Sequence, residues 1–475
     1  MGIDQLFISR GPGETRIACL ADGRLVELHV HRAGQESVVG NIYLGRVEAS
    51  LDGLDAAFVD IGLDRDGFLA LPEARPPGTE GGNDGIADYL LEGDKVLVQV
   101  MRDAVEDKGA KLSTHVNLAG VNLVFRPGQP GLMVSRRMTE EERTRILGMT
   151  EALARAEGGF IVRTAAATQE PDRILAEANA LVARWQEIED RKGAMKMPHL
   201  MAAGPGPAAR ALRDFGTEVG RVVVDDPQAL AEARAFAEAE MPSLLPRIES
   251  HKGSEPMFEA FQIEEQIEAA LSPTVALAGG GSLIISQTPA LTAIDVNTGG
   301  ADRGQPERTA FDVNMEAARE TARQLRLRNI AGLIVVDFVS LRDEGNRRRV
   351  LEELTQACAD DPLAPHVAGY TRFGLVEMTR RKQGLSLQEI IGGPSPDFHA
   401  PYKSPLSVAL EALRSVLREA RGKGRTPTLR ARPEVIAEFD GTAGAAKAEA
   451  EAALGVAIAL AADHTLGQGH WEVVT

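Results

Sequence analysis

Two carboxylates stand inside otherwise apolar, strand-like runs, Asp295 in LTAIDVN and Asp337 in LIVVDFV, with a long helical stretch between them. A lone carboxylate in a buried strand faces a large desolvation cost, so both need compensation. Phe311, Met315, Ala318, Ala322 and Leu325, spaced four, three, four and three, predict an intervening helix with one buried stripe. A right-handed strand, helix, strand crossover lays the two strands side by side and brings both acids to one sheet edge. Asn297, two residues after Asp295, shares its strand face and adds an amide oxygen. Such an all-oxygen cluster suits Mg²⁺ or Mn²⁺, hard ions that keep several waters and bridge phosphate oxygens. Each Asp alone can instead cap a turn at a strand end. The pair still gives only a phosphate-handling metal site, since nucleases, phosphatases and transferases share it.

Arginine is concentrated around these acids: Arg319, Arg323, Arg326 and Arg328, then Arg347, Arg348 and Arg349, then Arg380 and Arg381 with Lys382. Guanidinium forks suit phosphates, so a polyanion track beside the metal is the functional expectation and a solvated helix face the bland one. The concentration stands out against 52 basic and 69 acidic residues overall, a net charge of −17. That acidic total excludes a protein that coats nucleic acid indiscriminately. The 475 residues leave room for about three domains. The two cysteines, Cys19 and Cys358, make no C-x-x-C pair, which removes a disulfide framework and a cysteine zinc site and fits a reducing compartment. Asp4 sits where a signal peptide carries positive charge, and no 18-residue apolar run occurs. A cytoplasmic protein without a membrane span is expected.

Upstream, NIYLGRVEAS, AAFVDIG, GFLAL and KVLVQVM are β-branched or aromatic runs at the spacing of a small β-barrel. Phe58 and Phe68 fall on neighbouring strands with Lys108 nearby, the combination by which OB-type barrels hold single strands, although strand Phe is more often core. RPPGTEGGNDG, residues 75–85, is a loop between barrel strands; GGFIVRTAAA and ILAEANALVARWQEIEDRK then form a small α+β insertion. One helix is expected over FEAFQIEEQIEAAL, a hairpin over TVALAGGGSLIIS with GGGS as its turn, a linker at 392–405, and an Ala-rich helix from Ala445 to Ala462. His29 and His31 share a strand face without a third metal ligand near them in sequence.

VVGNIYLGRVEASLDGLDAAFVDIGLDRDGFLAL, GGFIVRTAAA, LTAIDVNTGG and ARQLRLRNIAGLIVVDFVSL together resemble the bacterial ribonuclease E/G endoribonucleases over nearly the whole length. The resemblance implies an α+β multidomain protein with an OB-fold barrel inserted in a ribonuclease-H-like domain, then a DNase I-like α/β catalytic subdomain and a small C-terminal α/β domain. The corresponding boundaries are 1–35 and 209–272 for the ribonuclease-H-like parts, 36–118 for the barrel, 119–208 for a 5′-phosphate sensor subdomain, 273–391 for the catalytic subdomain, 392–405 for the linker and 406–475 for the last domain. It further implies that Asp295 and Asp337 are Mg²⁺-binding catalytic acids assisted by Asn297, and that Phe58, Phe68 and Lys108 clamp single-stranded RNA. Arg163 and Thr164 match a pocket that senses a 5′-monophosphate, with Gly120 and Val124 as its wall.

Two departures qualify this. The family's C-P-x-C zinc link is replaced by QEIIGGPSPDFHAPYKSP, so no zinc is expected and any homodimer must rest on the C-terminal domain, through stretches such as PLSVALEALRSVL. A second sensor Arg of the family aligns with Ala364. The expected function is a Mg²⁺-dependent endoribonuclease leaving 5′-phosphate and 3′-hydroxyl ends in RNA processing and decay. The alternatives are a non-catalytic RNA-binding protein of RNA decay and a metal phosphatase.

Overall fold

The computed structural model describes residues 2–475 apart from 35–36, 78, 80–83, 105–107, 136–137, 151–152, 154–157, 300–305 and 394–402. Much of the loop expected at 75–85 and most of the linker at 392–405 therefore lie outside the described residues. Residues 1–36, 218–235 and 243–475 form one compact unit, and residues 37–217 with 236–242 form the other.

The first unit begins with an antiparallel meander of β1 (Gln5–Gly11), β2 (Glu14–Ala21) and β3 (Arg24–Arg32). The second unit opens with β4 (Ile42–Leu51), β5 (Ala56–Asp60), β6 (Gly67–Ala70), the short α1 (Leu71–Ala74), β7 (Lys95–Arg102) and β8 (Lys111–Ser113). These strands run β4-β5-β6-β8-β7, and β7 pairs back onto β4, closing a five-stranded, OB-like barrel. Its interior is filled by Val47, Val59, Leu69, Val98 and Leu112. Gly109 marks the closure: a Cβ there would stand 1.9 Å from the Asp66 carbonyl oxygen.

Beyond the barrel come β9 (Leu118–Ala119), β10 (Leu123–Pro127), β11 (Gly131–Val134), α2 (Glu140–Thr150), β12 (Gly158–Val162), α3 (Pro171–Lys192), β13 (His199–Ala202) and α4 (Pro207–Phe215). Strands β11-β12-β10-β9 make a separate sheet, while β13 extends the barrel sheet beside β4. Helix α3 starts with Pro171 and buries Ile174, Ala178, Leu181 and Ile188 at helical spacing.

The chain then returns to the first unit. Strand β14 (Arg221–Val224) pairs in parallel with β1, and after α5 (Pro227–Glu240) strand β15 (Ile248–Ser250) completes the sheet β15-β14-β1-β2-β3. The single helix expected over FEAFQIEEQIEAAL is two, α6 (Met257–Ala260) and α7 (Ile263–Leu271), separated by Gln262 in the left-handed region at φ 54°. Tertiary packing overrides propensity here, since the break lets the Phe261 ring lie 4.6 Å from Phe7.

Next come β16 (Thr274–Ala276), β17 (Ser282–Gln287), β18 (Thr292–Asn297), α8 (Pro306–Leu327), β19 (Gly332–Asp337), α9 (Glu344–Ala357), β20 (His366–Tyr370), β21 (Val376–Arg380) and α10 (Leu387–Ile390). The sheet order is β16-β17-β18-β19-β21-β20. Ala318, Ala322 and Leu325 of α8 and Val350 and Leu354 of α9 share one core with Ile294, Val296, Ile334, Val336 and Met378, so both helices cover the same sheet face.

The chain ends with α11 (Pro405–Ala420), β22 (Thr428–Ala431), α12 (Pro433–Ala437), α13 (Gly444–Leu454), β23 (Ala459–Ala462) and β24 (Trp471–Val474). The Ala-rich helix is shorter than expected: Gly455, at φ 71°, caps α13 and ALAA runs as a strand beside β22. The face expected to pair two copies is consumed within the chain, where Val408, Leu410, Leu413 and Val416 pack with Leu429, Val435 and Phe439. Helix α11 also reaches the N-terminal sheet: Arg414 donates to Ser9 Oγ at 3.0 Å and to the Glu14 carbonyl at 2.9 Å. Glu14 accepts from Arg32 at 2.8 Å, while Lys403 lies 3.3 Å from Glu264 and 2.9 Å from Glu411. Among the described residues no helix is long and apolar enough to cross a membrane.

Candidate active site

Asp295 and Asp337 are direct register partners on the adjacent parallel strands β18 and β19. Burial alternates along β18, with Thr292, Ile294 and Val296 facing the helices and Ala293, Asp295 and Asn297 exposed. The expectation that these acids are buried is corrected by that alternation. Among the described residues only one sheet face is covered, so period-2 geometry turns both carboxylates away from the helices and out of the core. Asn297 donates from Nδ2 to Asp295 Oδ2 at 2.8 Å, which turns its Oδ1 outward. Among the described residues no Lys or Arg is ion-paired with either Asp. Glu377, opposite Val335 on β21, adds a third exposed carboxylate one row back. It was missed because an alternating strand acid reads as ordinary surface.

Polar residues of α8 fix the rim of this site. Buried Asn314 donates to the Val339 carbonyl at 2.8 Å and accepts from Val339 N at 3.0 Å, which sets the chain just past Asp337. Glu307 accepts from the backbone of Arg342 at 3.0 Å and of Asp343 at 3.2 Å, and Glu316 holds Ala278 and Gly279. At Gly299, φ 60°, a Cβ would meet the Gly280 carbonyl oxygen at 1.9 Å, so the loop after β18 lies directly on the β16–β17 turn.

The arginine track is largely absorbed by the fold. Arg380 is buried and donates to Asp361 at 2.7 Å and to Asn329 and the Ile330 carbonyl at 3.0 Å. Arg323 binds Glu320 and the Leu25 carbonyl, Arg326 pairs with Glu27, and Arg319 pairs with Glu353. Arg328 is buried against Gln324, and burial pulls its guanidinium down to about 10. Helical spacing reports the presence of these side chains but not their long-range carboxylate partners. Arg348, Arg349, Arg381 and Lys382 remain exposed, with Arg349 stacked 4.6 Å over the Phe311 ring.

In the unit of residues 37–217, Phe58 and Phe68 are cross-strand partners on β5 and β6, with ring centroids 5.9 Å apart in an edge-on pair. Both are half-buried on the outer barrel surface while Ala57, Val59 and Leu69 fill the inside, which removes the core reading. Lys108 is exposed on the segment that runs beside Asp66 and Phe68, where Phe68 N donates to the Ala110 carbonyl at 2.7 Å.

Arg163 and Gly120 come together: Nη1 donates to the Gly120 carbonyl at 2.7 Å, and Nη2 donates to Asp214 Oδ1 at 2.9 Å. Burial works against ionisation of Asp214, yet Arg213 and Arg163 hold its carboxyl below the usual range. Thr164 Oγ1 lies 3.2 Å from Ser135 Oγ, and Val124 sits on β10 between Ala119 and Ile161. Glu177, unnoticed in the sequence, accepts from Asn122 N at 2.9 Å and Leu123 N at 3.1 Å, and burial raises its pKa. Ala364 is exposed in the α9–β20 connection at φ 48°.

Sequence distance hid one further cluster: Cys19, Glu27 and His29 offer ligand atoms within 4.8 Å, since Cys19 and Glu27 are cross-strand partners. His31 is not part of it. Glu27 already binds Arg326, and His29 Nε2 lies 2.9 Å from Glu27 Oε2; burial works against ionisation, but the His29 hydrogen bond and the Arg326 guanidinium hold the carboxyl down at about 2. A cation would have to displace a guanidinium, so the trio reads as a structural pair.

The whole chain is similar to known proteins. The model of the Ribonuclease E/G family matches residues 117–383. Ribonuclease G of Salmonella typhimurium (strain SL1344) is 34% identical over 485 residues, covering 99% of each chain. Ribonuclease G of Escherichia coli (strain K12) is 36% identical, covering 87% of each. Ribonuclease E of the same strain is 37% identical over 386 residues, 79% of this chain and 36% of that protein. With the matched segment spanning both Arg163 and the paired aspartates, the chain belongs to the ribonuclease E/G family.

Proposed function

We propose that this protein is a Mg²⁺-dependent endoribonuclease that cuts single-stranded RNA and leaves 5′-phosphate and 3′-hydroxyl ends, in cytoplasmic RNA processing and decay. The observation that carries the reading is the register pairing of Asp295 with Asp337 on an open sheet face, in a chain whose relatives are named ribonucleases. The donors suit a hard divalent ion: two exposed carboxylates and the outward amide oxygen of Asn297 would hold Mg²⁺, or Mn²⁺ in its place. A bound ion would supply Lewis-acid stabilisation of the phosphate and a more acidic water. Asn297 orients Asp295 through its amide hydrogen bond, and the Asn314 clamp keeps the chain after Asp337 from drifting.

Phe58 and Phe68 offer faces and edges to splayed bases, and Lys108 a cation to the backbone, which favours single strands over duplex. Arg163, Thr164, Gly120 and Val124 form the proposed 5′-monophosphate pocket. The sheet order β15-β14-β1-β2-β3 supports the ribonuclease-H-like reading, and the two-layer sheet carrying both aspartates the DNase I-like one.

The test is incubation of purified protein with a labelled single-stranded RNA, with and without Mg²⁺, followed by end mapping. Cleavage that needs Mg²⁺ and fails in Asp295→Asn supports the proposal. RNA binding without cleavage at any Mg²⁺ concentration would turn the protein into a non-catalytic RNA-binding member of the family.

A further inference from the structure

We infer that Phe373, on the turn between β20 and β21, is a stacking residue for the base next to the scissile phosphate; this rests on the ribonuclease reading above. Phe373 is 93% exposed, the most exposed large apolar side chain among the described residues. The exposure is built rather than frayed. Thr371 N donates to the Leu375 carbonyl at 2.7 Å, Thr371 Oγ1 accepts from Phe373 N and Leu375 N at 3.2 Å, and Gly374 turns the chain at φ 88°. A hydrogen-bonded turn thus holds an aromatic ring in water, which forgoes the burial such a ring otherwise gains.

Register brings Phe373 to the end of the sheet that carries the candidate site. Val336 pairs with Val376 on antiparallel strands, so Leu375 comes opposite Asp337 and Phe373 lies two residues farther out at the same sheet end. Two residues of chain span at most about 7 Å and one strand spacing is about 5 Å, within reach of a nucleotide whose phosphate sits at the aspartates. Arg372 beside the ring is exposed and adds a cation for the RNA backbone. Arg372 precedes the ring in the chain and Asp337 ends the adjacent strand, a polar setting that suits a base and its phosphates better than an apolar protein partner, which needs a contiguous patch.

The test uses the Asp337→Asn protein, in which cleavage should be lost, and single-stranded RNAs with 2-aminopurine at successive positions. Stacking on Phe373 quenches the base at one position. Phe373→Ala should abolish that quench and weaken binding on the order of tenfold, and Phe373→Trp should restore both. In the cleavage-competent protein, Phe373→Ala should raise KM more than it lowers kcat. Cleavage by the parent protein with an aminopurine signal unchanged in Phe373→Ala overturns this inference alone. So does a drop in mass by light scattering with RNA contacts intact, which would seat the ring on a second copy. No Mg²⁺-dependent cleavage by the parent protein overturns both readings together.

Discussion

Replacing Asp337 by Asn should make the metal-free protein more stable locally while removing its proposed activity. The two aspartates are direct cross-strand partners, and adjacent strands lie about 4.8 Å apart, so the carboxylates are held roughly 5 Å from each other. With both exposed, a water-like dielectric gives a repulsion of about 0.8 kcal/mol, within the ~0.2–1 kcal/mol found for directly opposed like charges. The hydrogen bond from Asn297 to Asp295 is made with either residue at 337, so it cancels in the comparison and the whole of that repulsion is relieved. Amide hydrogen exchange of β18 and β19 under urea reads this locally. In chelator at low salt, Asp337→Asn should be the more protected; in 1 M salt, where the screening length is about 3 Å, the difference should nearly vanish. With Mg²⁺ at about a hundredfold its Kd the order should reverse, because only the parent gains the roughly 2.7 kcal/mol of ligand linkage. Loss of protection in chelator, or no reversal with Mg²⁺, would show that these carboxylates are structural and refute the metal-site reasoning.

Arg163→Ala should reduce the preference for 5′-monophosphate over 5′-hydroxyl RNA, and Asp214→Asn, which frees one side of that guanidinium, should increase it; competition cleavage of paired substrates decides, with equal rates on both RNAs in the parent protein counting against a working pocket. Glu27→Gln should destabilise the protein at neutral pH: the folded carboxyl sits at about 2 against an ordinary 4.5, so its contribution is complete above 4.5, is lost as pH falls toward 2, and the parent and variant unfolding curves should converge there. The isolated protein should contain no stoichiometric zinc, because Cys19 and Cys358 are both buried and burial pushes the Cys358 thiol up to about 12; one zinc per two chains by elemental analysis would show that the cysteine-free linker was misread.

What was legible in the sequence were features with a strong local period or punctuation. The α8 stripe, the barrel runs and the strand, helix, strand unit around Asp295 and Asp337 follow from 3.6- and 2-residue repeats. What failed was set by partners far away in sequence. The same period that located β18 cannot say whether its second face is covered, so Asp295 was expected to be buried. Arg326 and Arg380 looked like phosphate ligands because Glu27 and Asp361 give no local sign of receiving them. Gln262 breaks a good helical run to suit Phe261 and Phe7, and ALAA became a strand once Gly455 ended α13.

The buried charges between α11 and the first strands govern the order in which this protein can be finished. Glu14 and Arg16 are made long before α11, yet Arg414 joins Arg32 at Glu14, and Arg16 sits beside Glu264 and Glu411. Until α11 is made, Glu14 and Arg16 have each other, Arg32 and Glu264 but lack Arg414 and Glu411, so the face of the opening sheet that α11 covers stays in water. The segment bearing Asp295 and Asp337 is therefore synthesised before these ion pairs are complete. A chain truncated ahead of Lys403 would lose the cover that Arg414 gives Ser9 and Glu14, so β1 and β2 should be cut faster by proteases than in the parent protein.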